Sequence, residues 1–168
     1  IQCVARTAGF EAADSAETKR QKLAAIFPAA ELPLAAELMS LPATAPSPMT
    51  PAQRKAATIA MLVDMIVRRG ENGPVLLIVE DAHWIDATTL ELMTRLADAV
   101  GEAPVLALVT GRPEFTPPWA SRPHATRLTL GRLGRNEGAQ RIAGVAAAHG
   151  LSAETVAAIV AKTYGVPL

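Results

Sequence analysis

The stretch PVLLIVEDAHWID, residues 74–86, decides how this chain folds. An unbroken aliphatic run leads directly into two adjacent carboxylates, Glu80 and Asp81. Such a run, without polar alternation, predicts a β-strand buried on both faces, as in a parallel sheet. Two carboxylates at the edge of a core are costly unless positive charge compensates them. The stretch therefore predicts a strand whose end lies beside a positively charged group or ion.

Further elements follow this strand along the chain. Asp86 is suited to cap a helix over residues 87–100, which Gly101 would close. A second apolar run, PVLALVT at 104–110, predicts a second buried strand, and TRLTLGRL at 126–133 predicts a third. Helices are expected over about 135–149 and 153–163. Strands that alternate with helices and are fully buried predict an α/β fold with a parallel sheet.

The residues before the strand are predicted to be helical. Residues 1–8 resemble the end of a helix, and Asp14 and Glu17 have the spacing of a capping pair for the next one. A short helix is expected within 30–41, followed by PATAPSPMTP at 42–51, a proline-rich loop.

A longer helix is predicted to begin after this loop and to run to about residue 69. Thr50 can cap it, Pro51 fits the first helical position, and Gln53 can reach back to the cap. One apolar face is expected, formed by Ile59, Leu62, Val63, Ile66 and Val67.

Composition excludes several classes of protein. The 168 residues carry 16 basic and 16 acidic side chains, so no net charge favours nucleic acid or an anionic membrane. The single Cys3 excludes an internal disulfide and a multi-cysteine zinc site, which fits a cytoplasmic location. No apolar run reaches the roughly 18 residues of a membrane span.

The polar residues that follow the first two strands suggest a magnesium–phosphate site. Ligands of open parallel sheets lie beyond the carboxyl ends of the strands, where Glu80, Asp81 and Arg112 are all expected. One carboxylate would hold hydrated Mg²⁺, the other would orient or deprotonate a water, and Arg112 would stabilise phosphate charge. The alternative is structural: the acids cap a turn and Arg112 pairs with one of them. His83 and Trp84 are interpreted as packing residues.

Four segments together resemble a known family. LLIVEDAHWIDATTLELM, PVLALVTGRPEFTPPW, TRLTLGRLGRNEG and VAAIVAKTYGVPL are similar, in order and spacing, to the signal-transduction (STAND) branch of AAA-type ATPases. The first resembles its Walker B segment. The closer resemblance is to modules linked to bacterial class III adenylate/guanylate cyclases and to large LuxR-type activators. It covers residues 50–168 well and 1–49 loosely.

The resemblance implies roles for individual residues. Glu80 falls at the acid associated with Mg²⁺, where many relatives have Asp, and Asp81 falls at the catalytic acid, where Glu is common. Arg112 matches the sensor arginine that contacts the terminal phosphate. Gly165 and Pro167 resemble the GxP motif, whose proline packs on adenine. These two residues are equally compatible with a helix C-cap followed by a proline-initiated helix.

The chain contains no P-loop. None of its lysines follows a glycine, whereas a P-loop requires GxxxxGK[ST] to cradle the phosphates. In the family this loop lies upstream, so the chain is expected to be a fragment. Residues 1–49 would follow the missing P-loop and second strand, 50–133 would hold the Walker B and sensor strands, and 134–168 would begin a helical lid. With family strand order 5-1-4-3-2, the strand at 126–133 would lack its neighbour, and the isolated chain would be prone to aggregate and inactive.

The resemblance thus implies part of an ATP-dependent switch, with ATP and Mg²⁺ as cofactors. Its partners would be a covalently linked output domain, either cyclase or DNA-binding, and sensor repeats. A non-hydrolysing interaction scaffold that retains the fold is the alternative. Direct binding of nucleic acid is not expected, since Arg122, Arg127, Arg132, Arg135 and Arg141 are interpreted mostly as solvated charges.

Overall fold

The computed structural model describes residues 2–42 and 48–131, together with residues 152, 154, 155 and 158. The chain divides into two units, Ile1–Thr126 and Arg127–Leu168. The first unit has an α/β fold, as predicted. Its helices are α1 (Gln2–Thr7), α2 (Ala16–Ala24), α3 (Leu32–Leu38), α4 (Pro51–Glu71) and α5 (Ala87–Ala99), and its strands are β1 (Val75–Val79) and β2 (Val105–Val109). Short 3₁₀ turns, Ala82–Trp84 and Val100–Glu102, flank α5.

The start of α4 confirms the predicted capping box. The Thr50 side chain accepts from the amide of Gln53, and the Gln53 side chain accepts from the amide of Thr50. The start of α2 differs from the prediction. Ser15 caps that helix by accepting from the amide of Thr18. Asp14 is engaged elsewhere: it accepts from the amide of Glu11 and forms an ion pair with Lys22 at 2.8 Å.

The two strands form a parallel sheet in which the first residues of both strands are paired, and so are the last. Val75 lies opposite Val105, and Val79 lies opposite Val109. Because α5 connects the strands, this is a β–α–β unit, and both strands end at the same edge. Their pairing confirms the two predicted strands and their parallel orientation.

The described residues cover only one face of the sheet. Leu77, Val79 and Val109 pack against the core that α4 and α5 help to form. On the opposite face, four aliphatic side chains are between 50% and 66% exposed: Leu76, Ile78, Leu106 and Leu108. The prediction of strands buried on both faces is therefore wrong for this part of the chain. A continuous aliphatic run specifies side chains that suit burial, but the covering layer must come from other residues.

Two apolar clusters hold the first unit together, and α4 contributes to both. The first cluster joins α1, α2, α3 and α4, and the second joins α4, α5 and the segment after β2. The buried members of the first are Val4, Leu23, Phe27, Ala35, Met61 and Met65, and those of the second are Val63, Met93, Leu96 and Trp119. Helix α4 thus buries Met61 and Met65 in addition to the predicted face, because it lies between two packed layers.

The predicted third strand is not present in the described residues. Residues 126–131 form no strand, and Leu128 and Leu130 are exposed. The helix predicted over 135–149 lies outside the described residues. Within 153–163, residues 154, 155 and 158 are helical, and the Ser152 side chain accepts from the amide of Thr155. No helix in the described part of the chain is long and apolar enough to span a bilayer.

Candidate functional site

Glu80, Asp81 and Arg112 lie together at the carboxyl edge of the sheet. Glu80 follows β1 directly, and Arg112 comes three residues after the last residue of β2. All three residues are exposed, and the Asp81 side chain is 76% exposed. The structure thus brings the predicted acids and the predicted arginine to one edge, as expected from the pairing of parallel strands.

The backbone of Asp81 adopts the left-handed conformation. Its φ is 54° and its ψ is 42°, a region that residues other than glycine rarely occupy, although Asp and Asn tolerate it better than most. Thr110 holds this turn from the neighbouring strand end: its side-chain oxygen accepts from the amide of Asp81 at 3.1 Å, and its carbonyl accepts from the amide of Ala82 at 2.8 Å. Strained backbone of this kind costs on the order of 1–3 kcal/mol and is concentrated at functional sites.

Arg112 contacts an aromatic ring instead of a carboxylate. Its guanidinium carbon lies 5.6 Å from the centroid of the Trp84 ring, within the range of a cation–π interaction. In the described part of the chain, Arg112 forms no ion pair with Glu80, Asp81 or any other acid. The purely structural alternative, in which Arg112 neutralises one of the acids, therefore does not describe this arrangement.

His83 and Trp84 have different environments. The His83 side chain is only 14% exposed, and neither ring nitrogen has a hydrogen-bond partner in the part of the chain that the structure describes. Its Nδ1 lies 4.0 Å from an oxygen of Asp81, beyond hydrogen-bond distance. Trp84 is 73% exposed, and its ring centroid lies 5.2 Å from that of His83. The interpretation of both as packing residues thus fits His83 but not Trp84, which is outside the core.

The segment after Arg112 folds back onto the core. Phe115 lies so close to Gly111 that a Cβ on Gly111 would be 3.2 Å from its ring. Phe115 also meets Trp119 edge to face, with centroids 6.4 Å apart, and Trp119 is buried in the second cluster. Glycine at position 111 permits this close approach, which fixes the chain on the carboxyl side of Arg112.

Helix α5 begins beside the candidate site. Its N-cap is Asp86, as predicted: one carboxylate oxygen accepts from the amides of Thr88 and Thr89, and the other accepts from the Thr89 hydroxyl. The hydroxyl of Thr89 and these amides lower the pKa of Asp86, because each donates to the ionised carboxylate. The negative charge also interacts favourably with the amino end of the helix.

The other end of α5 is bound to the loop after β2. Arg122 forms an ion pair with Asp98 at 2.6 Å, and His124 contacts the carbonyl of Ala97 through Nε2 at 2.6 Å. Arg122 is thus a partly exposed charge, as interpreted, and it also forms a surface ion pair. Arg132, Arg135 and Arg141 lie outside the described residues.

The site contains no preformed metal cage among the described residues. Among the described residues, no group of three His, Cys, Asp or Glu side chains could hold a metal ion. A shallow cleft of about 250 Å³ is lined by Arg69, Asn72, Gly73, Pro74 and Val75. It lies at the amino end of β1, whereas the acids lie at the carboxyl end. This cleft and the acids are therefore at opposite ends of β1.

Sequence reasoning missed two residues of the site and named two that the structure does not describe. Thr110 was treated only as the end of an apolar run, although a hydroxyl at the end of a strand can bind the adjacent turn. Trp84 was assigned to packing, and no sequence signal linked it to Arg112. Gly165 and Pro167 lie outside the described residues.

Comparison with known proteins gives one informative similarity. A stretch of 66 residues is 38% identical to an uncharacterized protein of Rhizobium meliloti (strain 1021). The alignment covers 39% of this chain and 6% of that protein, which is therefore much longer. No family model matches the chain, and no solved structure is significantly similar to it.

Proposed function

We propose that this chain carries the Walker B half of an ATP-binding and ATP-hydrolysing switch in a multidomain bacterial regulator with a cyclase or DNA-binding output. The P-loop NTPase-type fold belongs to this proposal. One observation carries it: two exposed carboxylates and a guanidinium follow adjacent parallel strands at the same edge, without any ion pair among them. Open parallel sheets bind their ligands at this edge.

The acids fit a hydrated magnesium ion better than a bare one. Mg²⁺ keeps several waters and is commonly held by one or two carboxylates together with substrate phosphates. Glu80 and Asp81 provide two exposed carboxylates, and the absence of a three-ligand cluster among the described residues agrees with such a site. Glu80 is proposed to hold the hydrated ion. When bound, the ion would screen negative charge on the phosphates.

Asp81 and Arg112 are proposed to act on the terminal phosphate. Asp81 would orient the attacking water and accept its proton, since it is exposed and held in a fixed turn by Thr110. Arg112 would stabilise the charge that develops on the phosphate oxygens, for which its planar guanidinium is suited. Gly165 and Pro167 are proposed to contact the adenine.

The proposal requires one feature from a larger protein, and one further observation supports such a protein. The sequence contains no P-loop, so the amides and lysine that cradle the phosphates would have to be supplied by other residues of the parent protein. The similar protein of Rhizobium meliloti is far longer than the aligned segment. ATP would lie between the P-loop helix and the edge formed by Glu80, Asp81 and Arg112.

Steady-state hydrolysis of Mg-ATP tests the proposal. The protein to assay is the chain extended upstream through the P-loop that the resemblance implies. Asp81→Asn should lower kcat by about 10²–10⁴, the usual contribution of a general base. Asn also tolerates the left-handed backbone of this position, so the fold is preserved. Glu102→Gln removes an exposed acid from the opposite end of the sheet and should leave kcat unchanged. Full turnover in Asp81→Asn would refute the assignment.

A non-hydrolysing scaffold is the second candidate, and the exposed sheet face favours it. Leu76, Ile78, Leu106 and Leu108 form an apolar surface of the kind that marks interaction sites. The order Glu80-Asp81, instead of the commoner Asp-Asp or Asp-Glu, also fits this candidate. A scaffold would retain signalling in Asp81→Asn, whereas a hydrolytic switch would lock or lose turnover.

A further inference from the structure

Neither acid of the candidate site pairs with an arginine or lysine among the described residues, although Arg112 lies at the same edge. Asp81 is opposite the end of β2 and bonded to Thr110, which is only two residues before Arg112. A carboxylate and a guanidinium at the same edge are able to form a bidentate ion pair. The Arg112 guanidinium is instead over the Trp84 ring, 5.6 Å from its centroid.

Trp84 has no other evident role in the described part of the chain. Its side chain is 73% exposed and belongs to neither apolar cluster. Its position is nevertheless well defined, because it ends the 3₁₀ turn that begins with buried Ala82 and its amide donates to the carbonyl of Asp81 at 2.9 Å. One short turn thus carries both the acid and the ring that competes with it for Arg112.

We propose that Trp84 is a positioning residue that holds Arg112 off Asp81, and so keeps the carboxylates available for a magnesium-bound phosphate. The proposal deepens the proposed function and rests on it for the identity of the ligand. Without the ring, Arg112 turns to Asp81 and the resulting ion pair competes with the divalent cation. The phosphate later draws the guanidinium away from the ring, which a weak, exposed cation–π contact permits.

The positioning can be tested on the 168-residue chain without nucleotide. The probe is the Arg112 side chain, observed by NMR through its Nε–Hε resonance. In the unaltered chain, the ring current of Trp84 should shift this resonance upfield. In Trp84→Leu, the upfield shift should be lost and the Hε should exchange more slowly with water, because an ion pair with Asp81 protects it. Trp84→Phe should retain part of the shift.

A double variant shows whether Asp81 causes the slower exchange. In Trp84→Leu/Asp81→Asn, the slower exchange should disappear because no carboxylate is left at position 81. Slower exchange that persists in this double variant, or unaltered exchange in Trp84→Leu, would overturn the proposal. Trp84 is exposed, so Leu at this position should not unfold the chain.

Titration with Mn²⁺, followed by its paramagnetic signal, gives the functional consequence. Trp84→Leu should bind Mn²⁺ about two- to five-fold more weakly, the ratio equivalent to an exposed cation–π contact. Trp84→Leu/Arg112→Ala should restore the affinity, because no guanidinium is left to occupy Asp81. If the NMR results confirm the positioning of Arg112 while neither the unaltered chain nor the P-loop-containing parent binds Mn²⁺, the proposed metal site is refuted and the positioning of Arg112 is retained. If Mn²⁺ binds equally to all variants, the positioning role of Trp84 is refuted and the proposed metal site is retained.

Discussion

The amide of Asp81 donates to the side-chain oxygen of Thr110 across 3.1 Å, and this bond joins the end of β1 to the end of β2. Thr110 also donates its own amide to the carbonyl of Val79 at 2.9 Å. The conformation of the turn that carries the acids therefore depends on a residue of the neighbouring strand end. A carboxylate on a turn held from two sides is better fixed than one on a free loop.

Thr110→Val should loosen this turn. The substitution keeps the shape of the side chain but removes the acceptor, leaving the Asp81 amide to bind water. The free energy of unfolding should fall by about 0.5–1 kcal/mol, the usual net value of one hydrogen bond. Thr110→Ser retains the oxygen and should be close to the unaltered chain. The midpoints of urea denaturation of the three proteins test this prediction. Equal midpoints for all of them would contradict the role of Thr110.

Asp81→Gly should not destabilise the chain, although it removes a residue of the candidate site. Glycine adopts φ values near 54° without steric cost, whereas an L-residue pays about 1–2 kcal/mol in this region. Asp81→Val should be clearly less stable, because a β-branched side chain fits this conformation poorly. Thermal unfolding should rank Gly at or above Asp, and Asp above Val. A glycine variant less stable than the valine variant would show that the turn is not strained.

The N-cap of α5 should make stability depend on pH. Because the amides and hydroxyl of the first turn lower the pKa of Asp86 in the folded state, its ionised form stabilises the fold. This contribution is fully present above the unfolded pKa of aspartate, about 3.9, and is lost as the pH falls through the lower folded value. Asp86→Asn can still cap but carries no charge.

Urea midpoints measured from neutral to acid pH test this dependence. The unaltered chain should be the more stable protein at neutral pH, and its advantage over Asp86→Asn should shrink as the pH falls below about 3.9. Glu102→Gln serves as a comparison, because this exposed acid lies beyond the other end of the same helix and forms no ion pair with the described residues. An advantage that does not change with pH would contradict the capping role of the charge.

Truncation of the two adjacent leucines of β1 should reduce stability by different amounts. Leu77 packs against the second cluster, whereas Leu76 is 59% exposed on the other face. Leu77→Ala should lower the free energy of unfolding by about 1–3 kcal/mol, less than for a fully buried leucine. Leu76→Ala should change it by no more than about 0.5 kcal/mol. Denaturant unfolding distinguishes them, and equal losses would mean that both faces are covered in solution.

The exposed face should cause the chain to associate. Leu106 lies opposite Leu76, and Leu108 lies opposite Ile78, so the four side chains form one continuous apolar patch. The outer edges of β1 and β2 pair with no other strand of the described residues. Leu106→Lys places a charge within this patch and should reduce association that depends on concentration. Sedimentation velocity over a range of concentrations measures it. Met49→Lys, at an exposed apolar side chain that precedes α4, is the control, and equal association of both variants would exclude the patch as its cause.

Local interactions were predictable from the sequence because they act within a few residues. The capping box at Thr50 and the cap at Asp86 each join a side chain to an amide two or three residues away. The same kind of rule failed at Asp14, because Lys22 and the amide of Glu11 compete for that carboxylate and leave Ser15 as the cap. A capping motif indicates which residues can cap, and tertiary contacts decide among them.

Long-range features were predicted only in part. Apolar runs located β1 and β2 and placed Glu80, Asp81 and Arg112 at one edge, but they could not show which residues cover the sheet. A strand also needs a neighbour, which is why the apolar alternation of residues 126–131 did not suffice. The Arg112–Trp84 contact joins residues from different loops, and neither residue alone indicates it.

Helix α5 is attached at both ends to loops of different origin. Its N-cap lies five residues after Asp81, and its last turn is bound by Arg122 and His124. A helix of 13 residues is about 20 Å long and resists changes in length. The helix therefore keeps its two ends at a nearly constant distance, and so it spaces the loop at residues 119–125 from the turn that carries the acids.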